Sequence, residues 1–395
     1  MTEHQLPPAR ETAGSPDAPR PEHAIGTASK ERPVTVLALD GGGMRGLYSA
    51  TLLQTLADRF ARERGVRALD VGRGFDVIVG TSTGGILATA LAAGVSMREV
   101  QKLYRERGSQ IFSNPFPSGG SRLSSVRFGG WLFRSWFSSA NGNRSLAASL
   151  TEVFGAETIG QLYDRRGIRL CVPTTGLLRH SPRVFKTPHL QYKDRDNELS
   201  LVDICMATSA APAFLPLVAL GGESPAGDAY SDGGLWANNP VLVGLIEGVA
   251  VSSPEQPVHI LSVGTCSPTS GAGPVSRLDR GISYWLQGVR LLTLTMDAQG
   301  QAAHYSAQLL AAELGRLGKD VALLRCEESA PSPDQVALLQ LDSASEEALS
   351  LMEKLGMHDG DETYRWRQDS NLPNGRQLAE IFQRMPETND EATEG

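Results

Sequence analysis

FDVIVGTSTGGILATALAAG, residues 75–94, is the stretch of sequence that decides the fold. Its first six residues are a short apolar run typical of a buried strand, and residues 86–94 predict a small-residue helix that ends at a glycine cap. The turn between them is G-x-S-x-G, which predicts a nucleophile elbow: Gly80 and Gly84 let strand and helix approach, and the Ser82 hydroxyl stands exposed at the rim of the sheet. An ordinary glycine turn is the competing interpretation of the pentapeptide by itself.

The same alternation of apolar strands and helices continues on both sides of this stretch. Strand, helix and strand in this order predict an α/β fold, a mainly parallel sheet flanked by helices, because parallel connections place helices on both faces. The predicted strands are 34–40, 75–80, 168–175, 258–264 and 321–327, and the predicted helices are 47–60, 86–94, 199–212, 241–250, 281–296 and 298–317.

Composition divides the chain into one ordered domain and two termini. Residues 1–32 are rich in Pro, Glu and Ala and poor in large apolar groups, so we predict a disordered N-terminal arm. Residues 386–395 predict a disordered tail for the same reason. Residues 33–385 form the predicted domain, with the chemical motifs in 33–270 and a helical C-terminal part in 271–385.

An aromatic segment interrupts the alternation at about residues 109–143, and we interpret it as an insertion over one end of the sheet. FGGWLFRSWF, residues 128–137, has five aromatic side chains in ten positions. Trp131 and Trp136 have amphipathic rings of the kind that favour a membrane interface, which predicts a lid or a membrane-contacting surface. Simple packing of these rings onto the domain is the other interpretation.

Charge and cysteine content exclude several classes of protein. A net charge of −7 with 21% charged residues provides no clustered basic face for a nucleic acid polymer. The four cysteines form no C-x-x-C pair and no histidine lies in a metal-ligand spacing, so we expect reduced thiols, no metal and no cofactor. No apolar run reaches the ~20 residues of a membrane span and no secretory signal is evident, so we expect a cytoplasmic protein.

A glycine loop, DGGGMRG at residues 40–46, directly follows the first predicted strand. Such a loop at a helix start presents several backbone N–H groups to one anion, which in an acyl hydrolase is the oxyanion of the tetrahedral intermediate. Gly41 to Gly46 also matches the dinucleotide fingerprint G-x-G-x-x-G, but the next predicted strand ends in GTSTGG rather than in the acidic residue that holds a ribose. Oxyanion binding and nucleotide binding are therefore both interpretations of this loop.

A third motif, Ser231-Asp232-Gly233-Gly234, lies between glycine-rich loops. A carboxylate there could orient or deprotonate a serine, provided that burial raises its pKa enough to make it a base near neutral pH. An aspartate that caps a turn before the next helix is the competing interpretation of an isolated D-G-G.

The three motifs, in this order, resemble those of the patatin-like phospholipases: a DGG-G-x-R-G loop, a G-T-S-T-G-G elbow and a D-G-G loop. The resemblance covers residues 33–270 and extends through ATSAAPAFLP at 207–216 and HILSVGT at 259–265. It implies hydrolysis of fatty acyl esters of membrane phospholipids by a serine–aspartate dyad, without histidine and without metal.

The resemblance also assigns roles to individual residues. It implies Ser82 as the nucleophile and Asp232 as the base. In the glycine loop it points to Gly41, Gly42, Gly43, Arg45 and Gly46, with the backbone around Gly42, Gly43 and Arg45 as the oxyanion hole. In the elbow it points to Gly80 and Gly84, and in the aspartate loop to Gly233 and Gly234.

Other interpretations of the same motifs stay open. His304 follows Asp232 in the chain, so a Ser–Asp–His esterase could formally be completed in the chain order of α/β-hydrolases. It lies in a helix-like stretch, where a surface or packing role is more common. A nucleotide-binding module using Gly41 to Gly46 and a catalytically silent lipid-binding scaffold are the remaining alternatives.

A narrower resemblance concerns bacterial patatin-like effectors of anti-phage defence. It rests on ALDGGGMRGLYSATLLQTL at 38–56, NNPVLVGLIE at 238–247 and GISYWLQGVRLLTLTMDAQGQ at 281–301. It implies a phospholipase activated by a cyclic dinucleotide or oligonucleotide that acts peripherally on the inner face of the membrane. In that case residues 271–385 have a regulatory role.

Overall fold

The computed structural model describes residues 31–115, 139–190, 195–220, 228–267, 290–369 and 373–388, together with residues 279 and 281. The predicted N-terminal arm before residue 31, the aromatic cluster at 128–137 and the tail after residue 388 lie outside the described residues. The lid or membrane-contact hypothesis therefore stays a prediction.

A single sheet forms the centre of the described part of the chain. Five of its strands are parallel, in the order β3-β2-β1-β7-β8, and β4, β5 and β6 extend the β3 side in antiparallel orientation. The strands are Val34–Leu39 (β1), Val77–Gly80 (β2), Arg169–Gly176 (β3), Ser181–Lys186 (β4), Val218–Ala219 (β5), Ala229–Asp232 (β6), Val258–Val263 (β7) and Val321–Arg325 (β8).

Helices cover both faces of this sheet, as the alternating pattern predicts. The α-helices are Gly46–Arg64 (α1), Thr83–Ala93 (α2), Met97–Ile111 (α3), Arg144–Phe154 (α4), Ile159–Arg166 (α5), Leu201–Thr208 (α6), Gly234–Ala237 (α7), Val241–Val251 (α8), Arg290–Arg316 (α9), Pro333–Val336 (α10), Glu346–Arg365 (α11) and Pro373–Gln383 (α12). The mainly parallel α/β fold and the helical C-terminal part are confirmed, although that part also contributes β8.

The side chains of β1 show why both faces of the sheet are buried. Leu37 and Leu39 belong to a large apolar cluster on one face, while Val36 and Ala38 belong to a smaller cluster on the other. Because side chains alternate between the faces of a strand, a continuous apolar run fills both clusters at once. This is the physical reason that the run at 34–39 forms an inner strand.

Three predicted helices differ from the structure. The stretches 281–296 and 298–317 were expected as two helices, but a single helix, α9, continues through Asp297 from residue 290 to residue 316. Its buried side, which includes Ala303 and Ala307, packs against α7, α8 and β8. The helix predicted at 199–212 is shorter and ends at Thr208, four residues before the proline that disfavours helix.

Two further predictions concern membrane-spanning segments and the state of the cysteine thiols. Within the described residues, no helix combines the length and apolar character needed to cross a bilayer. The four cysteines are unpaired and buried.

Candidate active site

The elbow between β2 and α2 places Ser82 in a strained conformation. Its φ of 56° and ψ of −125° lie in a region that residues with a side chain rarely adopt. A Cβ on Gly80 would lie 2.0 Å from the carbonyl oxygen of Gly84, and one on Gly84 would lie 2.3 Å from that of Leu39. Both glycines are therefore required for the close approach of strand and helix. The amide of Ser82 is held by the Thr208 hydroxyl, at 2.9 Å.

Asp232 lies at the end of β6, which pairs antiparallel with β3 and so brings the carboxylate to the elbow. The Ser82 hydroxyl donates to Asp232 Oδ2 at 2.6 Å, and the amide of Gly234 donates to Oδ1 at 2.7 Å. A Cβ on Gly233 would lie 2.3 Å from the Pro173 carbonyl oxygen, so this turn needs glycine as well. Ser82 and Asp232 are only 6% and 2% exposed, so the short contact between the serine and the carboxylate is buried.

Burial sets the protonation behaviour of this carboxylate. Desolvation raises the pKa of Asp232 to about 6, against the lowering effect of the hydrogen bonds from Ser82 and Gly234. The carboxylate is therefore ionised near neutral pH, yet it is a far stronger base than an exposed aspartate.

We expect the pH profile of ester hydrolysis to follow Asp232. A base must be ionised to accept the serine proton, so kcat/KM should rise about tenfold per pH unit below pH 6 and level off above it. The measurement is kcat/KM for a soluble ester from pH 4.5 to 8.5, with a thermal melt at each pH to exclude unfolding. A rate that is flat or falls between pH 5 and pH 7 in folded protein would contradict this role.

Most backbone amides of the glycine loop already have acceptors. The hydrogen bonds fix the loop to the residue after α7, to itself and to the C-terminal part of the chain. The amide of Gly41 donates to the carbonyl of Asn238 at 2.9 Å, and that of Met44 donates to the carbonyl of Leu341 at 2.7 Å. Within the loop, the amide of Arg45 donates to the Gly42 carbonyl at 3.2 Å, and that of Gly46 donates to the Gly43 carbonyl.

The amides of Gly42 and Gly43 differ from the others of the loop. Among the described residues, no acceptor is hydrogen-bonded to the amides of Gly42 and Gly43. A Cβ on Gly41 would lie 3.2 Å from Ser82 Cβ, so the loop lies directly beside the serine. The buried Arg45 side chain stabilises the loop, since its Nε donates a hydrogen bond to the Gly42 carbonyl at 3.2 Å. This arrangement can accept negative charge at an atom bound to Ser82.

A largely apolar cavity opens onto the serine and the aspartate. It encloses about 730 Å³, including open solvent at its mouth. Its apolar lining includes Ile86, Leu103, Phe112, Phe214, Leu215 and Met296. A hydrocarbon chain attached to an ester is the kind of ligand that such a lining favours.

His304 does not complete a triad within the described residues. It lies on α9, its Nδ1 has no hydrogen-bond partner there, and no hydrogen bond joins it to Ser82 or Asp232. Burial lowers its pKa. The serine and the aspartate are therefore in contact without an intervening imidazole.

One polar cluster was not foreseen from sequence. Cys171 on β3, His189 after β4 and Glu247 on α8 bring potential ligand atoms within 4.8 Å of one another. Lys186 is ion-paired with Glu247, and His189 bridges the Thr187 hydroxyl (2.8 Å) and Glu247 (3.0 Å). The lysine already neutralises the buried carboxylate, so this network satisfies its charges without an ion. Its members are far apart in the chain, which is why spacing could not reveal it.

Comparison with known proteins adds to this geometry. The family model described as "Patatin-like phospholipase" matches residues 37–245, which contain the glycine loop, the elbow and the aspartate loop. A cGAMP-activated phospholipase of Vibrio cholerae serotype O1 is 32% identical over 86% of this chain and 92% of its own. One of Pseudomonas aeruginosa is 36% identical over 67% and 71%, and patatin-like protein 1 of Arabidopsis thaliana is 26% identical over 82% and 80%.

Proposed function

This chain belongs to the patatin-like phospholipase family, and we propose that Ser82 and Asp232 are the nucleophile and general base with which it cleaves fatty acyl esters of phospholipids. Membership of this family makes it a carboxylic ester hydrolase. The observation that carries the proposed dyad is the 2.6 Å hydrogen bond from the Ser82 hydroxyl to a buried carboxylate, at a strained strand-to-helix turn.

The proposed reaction proceeds through an acyl-enzyme. Ser82 Oγ attacks the ester carbonyl carbon while its proton passes to Asp232 Oδ2, and a tetrahedral oxyanion forms. When this intermediate collapses, Asp232 returns the proton to the leaving alcohol, which departs as a lysophospholipid. Asp232 then takes a proton from water, whose oxygen attacks the acyl carbon, and the fatty acid is released as Ser82 recovers its proton.

Stabilisation of the oxyanion is assigned to the glycine loop. The amides of Gly42 and Gly43 supply the donors in this proposal, because the other loop amides are engaged elsewhere. The N-terminus of α2, which begins at Thr83, adds a favourable dipole beside Ser82. Preorganised donors of this kind typically contribute about 10²- to 10³-fold in rate each.

Fatty acid release from phosphatidyl lipid vesicles tests the proposed substrate class. In assays with and without cyclic nucleotides, wild-type protein should release fatty acid and lysophospholipid in at least one condition, and the variant lacking the Ser82 hydroxyl should release them in none. A binding module or a silent scaffold would leave the vesicles intact with both proteins.

The relatives named cGAMP-activated phospholipases extend the proposal to regulation. In it, a cyclic dinucleotide or oligonucleotide switches this chain on during anti-phage defence, and the active protein acts from the cytoplasm on the inner face of the membrane. The resemblance of residues 281–301 to such effectors supports this proposal.

We expect basal hydrolysis of vesicles to be low and one cyclic nucleotide to raise it at least about tenfold, which corresponds to a modest bias of about 1.4 kcal/mol toward an active state. The measurement is fatty acid release with a panel that includes cGAMP, with linear dinucleotides as matched controls. EDTA should leave the rate unchanged, because the proposed chemistry uses no metal. Full activity without nucleotide, together with no binding in calorimetry, would remove the regulatory proposal and leave the hydrolase proposal standing.

A further inference from the structure

The C-terminal part of the chain holds the glycine loop at two points. At the front of the loop, the Arg325 guanidinium at the end of β8 donates to Asp40 Oδ2 at 2.8 Å. At the other end, the Leu341 carbonyl accepts from the amide of Met44 at 2.7 Å. A Cβ on Gly43 would lie 2.1 Å from that carbonyl oxygen, so the two segments are in direct contact.

Asp40 has an unusual position for a buried carboxylate. It directly follows β1 and precedes the loop glycines, it is 8% exposed, and its Oδ1 has no hydrogen-bond partner among the described residues. The loop that follows it is the element assigned to stabilise negative charge. An uncompensated carboxylate behind that loop would oppose the oxyanion and would itself be costly to bury.

Arg325, at the end of β8, compensates this charge. Its Nη2 contacts both Asp40 and Glu328, the latter at 2.9 Å, and its Nη1 donates to the Ser262 hydroxyl at 3.0 Å on β7. Three fixed partners leave the guanidinium little freedom, so it can hold Asp40 in one position. Its contact with Asp40 therefore connects β8, which is distant in sequence from Ser82, to the glycine loop beside Ser82.

We propose that Arg325 is a positioning residue for ester hydrolysis, which holds the glycine loop through Asp40 and cancels the charge of that carboxylate beside the oxyanion. The inference rests on the proposed function and assigns to the C-terminal part of the chain a direct share in the active site.

The charged groups around Asp40 predict a specific change in pH dependence. Arg325 on β8, Glu328 after it and Arg45 within the glycine loop are the charged groups that act on Asp40. Burial raises the pKa of Asp40 to about 6, and Arg325 opposes that rise. Without the arginine the pKa rises further, and above it an uncompensated carboxylate appears. Arg325 also lowers the pKa of His304 and that of Cys326, a thiol whose pKa burial raises to about 12 and which therefore stays protonated over the range of the experiment.

The experiment measures kcat and KM for a soluble ester from pH 5 to pH 9 in Arg325→Met and Arg325→Lys. In Arg325→Met we expect kcat to fall about 10- to 100-fold at pH 8, less than for loss of an oxyanion donor, with KM changed less than about twofold. The profile should become bell-shaped, with activity lost at alkaline pH as Asp40 ionises. Arg325→Lys should recover most of kcat and the wild-type profile.

A double-mutant cycle with Asp40→Asn separates positioning from general damage. In the Asp40→Asn background, Arg325→Met should cost less than about threefold, because residue 40 then carries no charge for Arg325 to compensate and only the contacts with Glu328 and Ser262 are lost. Adding His304→Ala to Arg325→Met should leave the alkaline limb in place. Arg316→Met, which removes an exposed arginine paired with Glu313 at the end of α9, should leave kcat unchanged.

The outcomes are distinguishable by thermal melts and by the variant lacking the Ser82 hydroxyl. A folded Arg325→Met with wild-type kcat and pH profile, or an equal cost in both Asp40 backgrounds, would overturn the inference while leaving the proposed function intact. If Arg325→Met does not fold, two other variants decide. A wild-type pH profile in Arg325→Lys, and a kcat of the Asp40→Asn/Arg325→Met double variant close to that of Asp40→Asn, support the inference. Hydrolysis that survives loss of the Ser82 hydroxyl would instead refute the proposed function.

Discussion

Ser82→Ala should abolish ester hydrolysis, with a loss in kcat on the order of 10⁶-fold, as expected for a nucleophile that acts as a unit with its base. The physical reason is that, among the described residues, the Ser82 hydroxyl alone both donates to the buried Asp232 carboxylate and lies beside the glycine loop. The measurement is fatty acid release from phospholipid vesicles and turnover of a soluble ester. Activity above a tenth of wild type in folded Ser82→Ala would reject Ser82 as the nucleophile.

Two further variants make this result specific. Ser149→Ala removes another buried hydroxyl, which bonds only to the backbone of its own helix at 2.9 Å, and should retain activity. Ser82→Gly should be as inactive as Ser82→Ala but melt at a higher temperature, because glycine adopts a φ of 56° without strain. A lower melting temperature for Ser82→Gly than for Ser82→Ala would show that the elbow stores no strain.

Asp232→Asn should lower kcat nearly as much as Ser82→Ala, because the nucleophile and its base act as a unit. The amide keeps the shape of the carboxylate but cannot take the serine proton. Because burial raises the pKa of Asp232, the ionised carboxylate costs stability at every pH above its unfolded pKa. Asp232→Asn should therefore melt at or above the wild-type temperature at pH 8, which a variant inactive through unfolding would not.

His304→Ala is the matched control for this second prediction. A dyad requires it to keep substantial activity, because no hydrogen bond links His304 to the serine or the aspartate in the described structure. A folded but inactive His304→Ala, combined with an active Asp232→Asn, would replace the dyad with a different catalytic arrangement.

The inner strands and their helices could be predicted because each carries a local pattern. The runs at 34–39, 77–80 and 258–263 need no partner to be recognised, since strands buried on both faces are mostly apolar, although Thr35, His259 and Ser262 are polar. Strands β4, β5 and β6 could not be predicted in this way. They are antiparallel additions at one side of the sheet, with few apolar residues, and tertiary pairing rather than pattern decides their conformation.

The choice of base shows the same limit at the candidate site. Asp40 and Asp232 both precede glycine pairs, so spacing alone could not separate them, and the family resemblance selected Asp232. The structure distinguishes them physically: Asp232 accepts the serine hydroxyl, whereas Asp40 is paired with Arg325. The Arg325 contact joins residues 285 positions apart in the chain, and no local signal in the sequence announces it.

Covalent trapping tests the central claim most directly. Wild-type protein and Ser82→Ala are incubated with an alkyl fluorophosphonate, from which an activated serine displaces fluoride, and the adduct is located by mass spectrometry of peptides. The dyad predicts one adduct on Ser82 in the wild type, none at this position in Ser82→Ala, and slow formation in Asp232→Asn. An adduct on a different residue that accompanies loss of activity, or hydrolysis that continues unlabelled, would contradict the assignment of Ser82 as the nucleophile.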